Sequence, residues 1–224
     1  MHQIQKVFLK RLTTTNNQRY ADLTRGYNFE DNVVFHLKKL VESGFVVKDN
    51  TYYSITAKGI KAIYEYDLSD LSSPGVKTFF CGFIVTDGLG NFLVKGHPSA
   101  KINFYNLPSG RPKFGQPMEL ELPRLFFENT GIMIDPSRFL FTTLHGKIVK
   151  TKDGEDLFDD GQAIYRIEIS EVEKSRMKLL EGVEWISREQ LILLRNCWPE
   201  IKMCLLDKII KPYASYEISS NYIL

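Results

Sequence analysis

Leu107–Ile132, LPSGRPKFGQPMELELPRLFFENTGI, is the stretch from which the fold is read. It reads as a tight glycine-bearing loop, then a helix, then a glycine stop. Pro117 suits the first helical position, where its missing N–H would have no partner in any case. Gly131 can take the left-handed conformation that ends a helix. Between them Leu120, Leu122, Leu125 and Phe126 are expected to face a core, with Glu119, Glu121, Arg124 and Glu128 as polar positions. Pro123 falls inside this span, where it removes a backbone hydrogen bond and should kink the helix.

Around that stretch, 224 residues allow one or two domains with a sizeable core. The apolar and charged fractions, 43% and 25%, are those of an ordinary soluble globular protein. A net charge of +2 does not by itself argue for nucleic acid. Bases outnumber acids up to Tyr66, which is compatible with DNA binding by the front segment. Cys81, Cys197 and Cys204 are few, odd in number and not in metal spacing, so reduced thiols are expected. The opening MHQIQKVFLKRL is amphipathic and lacks an apolar core followed by a cleavage site. We therefore expect no signal peptide, no membrane span and a cytoplasmic protein.

The chain begins with apolar residues at helical spacing: Ile4, Val7, Phe8 and Leu12. A short second helix over Arg19–Thr24 stops at Gly26. Asn28 is a candidate N-cap for a third helix through Val33, Val34, Leu37, Leu40 and Val41. The β-prone runs Phe45–Lys48 and Tyr52–Ile55 flank a turn at Asp49 and Asn50. A further helix is expected from Thr56. With HLKKLVESGFV (His36–Val46) and YSITAKG (Tyr53–Gly59), this order resembles a winged helix-turn-helix domain, here residues 1–66. The resemblance implies double-stranded DNA as a partner, with the third helix in the major groove. Asn32, Phe35, His36 and Lys39 would then face outward, and Lys48 on the wing would meet a phosphate. Glu30 and Asp31 at the front of that helix work against phosphate approach.

Residues 67–76, with Asp67, Ser69, Asp70, Ser72, Ser73, Pro74 and Gly75, read as a linker. Residues 77–224 then form the second domain. Thr78–Thr86 is an alternating apolar strand, Asp87–Asn91 a turn and Phe92–Lys95 a partner strand. Arg138–Lys150 is β-rich, Lys152–Asp160 a charged loop and Gln162–Ile169 a strand. Glu184–Ser187 leads into a helix over Arg188–Leu194, and Trp198–Ile210 is a further amphipathic helix. Tyr213–Leu224 gives no reading.

Gly110, Arg124, Phe126, Glu128, Gly131 and Ile132 match, without a gap, the pattern G-x5-E-x7-R-E-U-x-E-E-x-G-U, in which U is apolar. This resembles the Nudix box of nucleoside-diphosphate hydrolases, and the resemblance runs from about Thr78 to Leu194. It implies a Nudix-like α/β/α sandwich with a mixed sheet, and an α+β chain as a whole. Three carboxylate positions depart from the pattern: Gln116, Leu125 and Asn129. In the family such carboxylates hold divalent metal on a pyrophosphate, and Mg²⁺ demands oxygen ligands. Glu128 alone is a poor cage, so no cofactor is expected.

The preferred reading is a DNA-binding regulator whose degenerate Nudix domain senses a nucleotide-like ligand without turning it over. Arg111, Lys113 and Arg124 are the candidate ligand contacts, with Ser109 in the same loop; Arg124 also has Glu128 one turn on as a structural partner. The alternative is a Mg²⁺-dependent hydrolase with relocated ligands, in which Glu128 is the catalytic remnant and Glu128, Glu121 and Asp159 hold the metal. The acidic residues Glu155, Asp156 and Asp160 would be the other rescue groups. A non-catalytic protein-interaction module, with homodimerisation through apolar surface, is the third reading. His97 and His145 are read as filler near strand ends.

Overall fold

The computed structural model describes residues 1–66, 68, 70–71, 78–96, 104–151, 153–154, 156–207 and 210–219, without the side chains of Phe29, Leu157 and Ser219. Most of the expected linker, His97, Lys152 and Glu155 lie outside the described residues. The chain divides into two compact units, Met1–Val76 and Lys77–Leu224.

In the first unit, α1 (Gln3–Thr14) is capped by a reciprocal pair between His2 and Gln5. It is followed by β1 (Gln18–Arg19), α2 (Tyr20–Leu23), α3 (Val33–Glu42), β2 (Val46–Asp49), β3 (Tyr52–Ile55) and α4 (Ala57–Ile63). The antiparallel strands form a small sheet in the order β1-β3-β2. Its core joins Phe8, Leu9 and Leu12 of α1 to Leu37 and Leu40 of α3, with Leu23, Val46 and Ile63 closing the sides. Gly59 lies in α4 where a Cβ would collide with the Phe45 carbonyl oxygen. Thr56 caps that helix by accepting from the Gly59 N–H at 3.1 Å.

Two expectations change in this unit. Asn28 does not cap α3. A 3-10 turn at Phe29–Asp31 intervenes, and Asn32, in the left-handed conformation (φ 49°), precedes the helix. Leu71 and Leu68 also pack against this core, and Lys6 Nζ donates to the Leu71 carbonyl at 3.0 Å, so the unit continues past Tyr66.

The second unit is built on a mixed sheet. Its strands are β4 (Thr78–Thr86), β5 (Asn91–Gly96), β6 (Tyr105–Asn106), β7 (Ser109–Gly110), β8 (Leu140–Lys150), β9 (Asp156–Glu168), β10 (Val183–Ser187) and β11 (Tyr213–Ser219). The main order is β10-β5-β4-β9-β8-β11, with β6 on β5 and β7 on β4. β4 runs parallel to β9 and β11 parallel to β8; the other pairs are antiparallel. The helices are α5 (Met118–Thr130), α6 (Glu171–Arg176), α7 (Arg188–Leu193) and α8 (Pro199–Leu205).

Strand alternation sends β4 side chains to opposite faces. Cys81, Phe83 and Val85 pack under Leu122, Leu125 and Phe126 of α5. Ile84 packs with Ile164, Leu191 of α7 and Ile201, Cys204 and Leu205 of α8. Helices thus cover both faces of one mixed sheet.

Several expectations are corrected. α5 continues through Pro123 as one helix, and Pro117 is its N-cap rather than its first residue. Leu120 is exposed, because it lies on the side of α5 away from Leu122, Leu125 and Phe126. Asp156–Asp160 is strand, paired with β8, and not loop. Tyr213–Ser219 is a strand, and polar α6 has a capping box at Ser170 and Glu173.

Candidate functional site

The loop and helix from Gly110 to Gly131 form a locked unit. A Cβ on Gly110 would run into Leu125 Cδ2, so this close approach of strand and helix needs glycine. Leu125 consequently belongs to the core, being 1% exposed. Gly131, at φ 72°, ends α5 and donates its N–H to the Phe127 carbonyl at 2.7 Å.

Arg124 is the tie between loop and helix. Its Nε donates to Glu121 Oε1 at 2.8 Å, its Nη1 to Glu128 Oε1 at 2.5 Å and its Nη2 to the Arg111 carbonyl at 3.2 Å. A second Nη2 bond reaches Glu121 Oε2, which also accepts the Lys113 backbone N–H at 2.6 Å. The Arg124 hydrogen bonds, followed by that of Lys113, outweigh burial and hold the Glu121 carboxyl at about 2. The Arg124 guanidinium is correspondingly raised. Arg124 is therefore a structural clamp, and buried Glu121 is spent on it. Glu128 is more open, but it shares the same arginine.

The positions that carry carboxylates in the Nudix pattern do not fit a divalent cation. Leu125 has no oxygen. Asn129 donates Nδ2 to the Leu125 carbonyl at 2.7 Å, and its Oδ1 accepts Lys95 Nζ at 2.9 Å. An ammonium group thus sits on the oxygen that a metal would need. Burial lowers the Lys95 pKa, against the pull of Glu128. Asp159 lies on β9, and among the described residues no three His, Cys, Asp or Glu side chains gather into a metal-holding group. Glu128, Glu121 and Asp159 do not form the metal site considered from the sequence.

The opposite face of the sheet, under α8, holds a cavity of about 490 Å³. Phe80, Lys147, Val149, Phe158, Asp160, Gln162, Trp198 and Glu200 line it, with Thr78, Asn106, Ser109 and Arg111. Lys147 Nζ lies 4.0 Å from the Trp198 ring centre and 4.0 Å from Glu200 Oε1. Glu200 accepts from the Tyr216 hydroxyl of β11. Burial raises the Glu200 pKa, against Lys147 and Tyr216. Thr78 donates to Asp160. The Arg111 guanidinium lies 5.2 Å from the Phe80 ring centre. Of the sequence candidates, Arg111, Ser109 and Asp160 line this cavity; Lys113 contributes its backbone to Glu121 instead. His145 is buried on β8, with Nε2 4.0 Å from Cys204 Sγ.

Gln162, Lys147, Trp198 and Glu200 were missed. Gln162 was the readable signal, a polar residue directly before the apolar Ala163–Tyr165 run of β9. Glu200 gave none, since a glutamate in an amphipathic helix reads as solvent-facing.

On the first unit, Asn32, Phe35, Lys39 and Lys48 are exposed. His36 is not: it is 9% exposed and stacks on His2 at 4.2 Å. With α3 beginning at Val33, His36 falls on the face of Val33, Leu37 and Leu40. Lys39 Nζ pairs with Glu42 at 2.9 Å, and Lys48 Nζ lies over the Tyr53 ring. A concave surface of about 740 Å³ includes Lys10, Arg11, Arg19 and Arg25 around Tyr52.

No protein-family model matches the chain, and no curated protein matches it in sequence. A MutT protein from Bacillus halodurans is similar in structure: 14% identical, with 64% of this chain and 92% of that chain covered at a TM-score of 0.51. Over that share the fold is a MutT fold. A MutT Nudix hydrolase from Burkholderia pseudomallei is 17% identical, covering 60% of this chain and all (100%) of that one, at 0.46. The Nudix domain of Shewanella oneidensis NrtR, solved with ADP ribose, is 12% identical, covering 66% and 94%, also at 0.46. The MutT likeness concerns the fold alone; the Lys95–Asn129 pair and the α8-face cavity are properties of this chain. Among the described residues no helix is long and apolar enough to cross a membrane.

Proposed function

We propose that the chain is a DNA-binding regulator whose second unit binds a nucleotide-like ligand without hydrolysing it. The observation that carries the ligand half is the closed box: Arg124 takes Glu121 and Glu128, and Asn129 takes Lys95. A loop and helix of Nudix length have kept their shape while their oxygens serve the fold. The cavity beneath α8, with aromatic walls and Arg111 among its lining residues, supplies a place for a ring and an anion.

The DNA half is supported by element order and pairing. The order helix, short strand, two helices and a hairpin, with sheet order β1-β3-β2, is compatible with a winged helix-turn-helix and supports this reading. In this reading Phe35 and Lys39 of α3 face the groove with Asn32, and Lys48 meets the backbone, while His36 serves the core. A sensor of this kind needs unequal ligand affinity in its DNA-bound and free states. The test is selection of genomic DNA by the purified full chain, with and without a panel of nucleotides. An enriched sequence whose affinity shifts with a nucleotide is expected; absence of any enrichment would contradict the regulator reading.

A further inference from the structure

We infer that Lys95 is a built-in cation that holds the phosphates of the ligand without a divalent metal. This rests on the nucleotide-binding reading above and names the group that meets the anion.

Lys95 stands on β5 beside the last turn of α5. Its Nζ donates to Asn129 Oδ1 at 2.9 Å. Asn129 is fixed in its turn, because its Nδ2 donates to the Leu125 carbonyl at 2.7 Å and to the Ser109 carbonyl at 3.3 Å. The carboxamide is buried, so it holds the ammonium in one place. Lys95 itself is only partly buried. An ammonium has three donors, and among the described residues this one makes a single hydrogen bond. The others can point at the oxygens of an anion. Ser109 also lines the α8-face cavity, so the ammonium and the cavity adjoin through one loop.

The charges at the box support the same assignment. A glutamate at residue 129 would neutralise Lys95. Asparagine keeps the acceptor oxygen and removes the charge. Lys95 and Arg124 then balance Glu121 and Glu128. Carboxylates at positions 116, 125 and 129 as well would make this surface strongly negative, and a phosphate would be repelled unless a metal lay between. In this chain a phosphate meets a lysine point charge in a partly desolvated place, where attraction is stronger than in water.

The experiment is calorimetric titration of the full chain with ADP, ADP-ribose and adenosine, in EDTA and in Mg²⁺. The two diphosphates are expected to bind in EDTA, roughly tenfold or more tightly than adenosine, as suits hydrogen bonds to a charged group. Lys95→Met should bring them down to the level of adenosine and leave adenosine unchanged. A merely structural lysine would move all three together. The wild-type comparison needs no substitution, so it decides the matter even if Lys95→Met does not fold. Diphosphate binding that appears only with Mg²⁺, or that equals adenosine binding, would overturn the inference and leave nucleotide binding intact. So would Lys95→Met that spares the diphosphates or weakens adenosine equally. No binding of any of the three would overturn both.

Discussion

Arg124 sets the behaviour of the box at the residue scale. Glu121 stands at about 2 in the fold against an ordinary value of 4.5, so the stability it contributes is complete above that ordinary value. It disappears as pH falls from there towards 2. Glu173, hydrogen-bonded by Arg138, acts in the same direction. Glu200 acts in the opposite one: burial raises its pKa, so stability declines as pH rises above the ordinary carboxylate range. Thermal unfolding followed from pH 2 to 8 should therefore show two limbs. Glu121→Gln is expected to flatten the acid limb and Glu200→Gln the other. An acid limb identical in wild type and Glu121→Gln would contradict the clamp.

At the scale of elements, two close approaches hold helices in place. Gly110→Ala forces Leu125 aside, and overpacking of that kind costs about 1–3 kcal/mol. Gly59→Ala is expected to lower the melting temperature more, because its obstacle is the Phe45 backbone oxygen rather than the end of a side chain. Calorimetry of the two variants would check the ranking, and a harmless Gly59→Ala would refute it. Elements with strong local patterns were legible: β4 spans the expected Thr78–Thr86 and β3 the expected Tyr52–Ile55. Periodicity fixed neither the start of α3, which depends on the Asn32 turn, nor α6, whose cap is polar and whose helix lacks an apolar stripe. The box was legible as spacing. Its closure was not, since the Lys95–Asn129 bond joins residues brought together only by the sheet packing on α5.

For the whole molecule, each unit has its own core, and the first includes Leu71. A fragment ending at Val76 should be more stable than one ending at Tyr66, by about 1.5–3 kcal/mol for the buried leucine alone. Denaturant midpoints of the two fragments would show it, and equal midpoints would place Leu71 outside the folding unit. The cavity is also a whole-molecule feature. β8, β9, α8 and the loop after β7 each contribute a wall, and β11 holds Glu200 through Tyr216. A linear reading reached Arg111, Ser109 and Asp160 of it, because the other contributors look like ordinary strand and helix residues until the chain is folded.

The measurement that bears most directly on the central claim is product analysis of the full chain incubated with nucleoside diphosphate derivatives, ADP-ribose and dinucleotides among them, under Mg²⁺ or Mn²⁺. Glu128→Gln serves as the control, and binding is followed in the same samples. Saturable binding with no product is the predicted result. Turnover that disappears in Glu128→Gln would contradict it, and would make the Arg124-bound glutamate part of a working metal site.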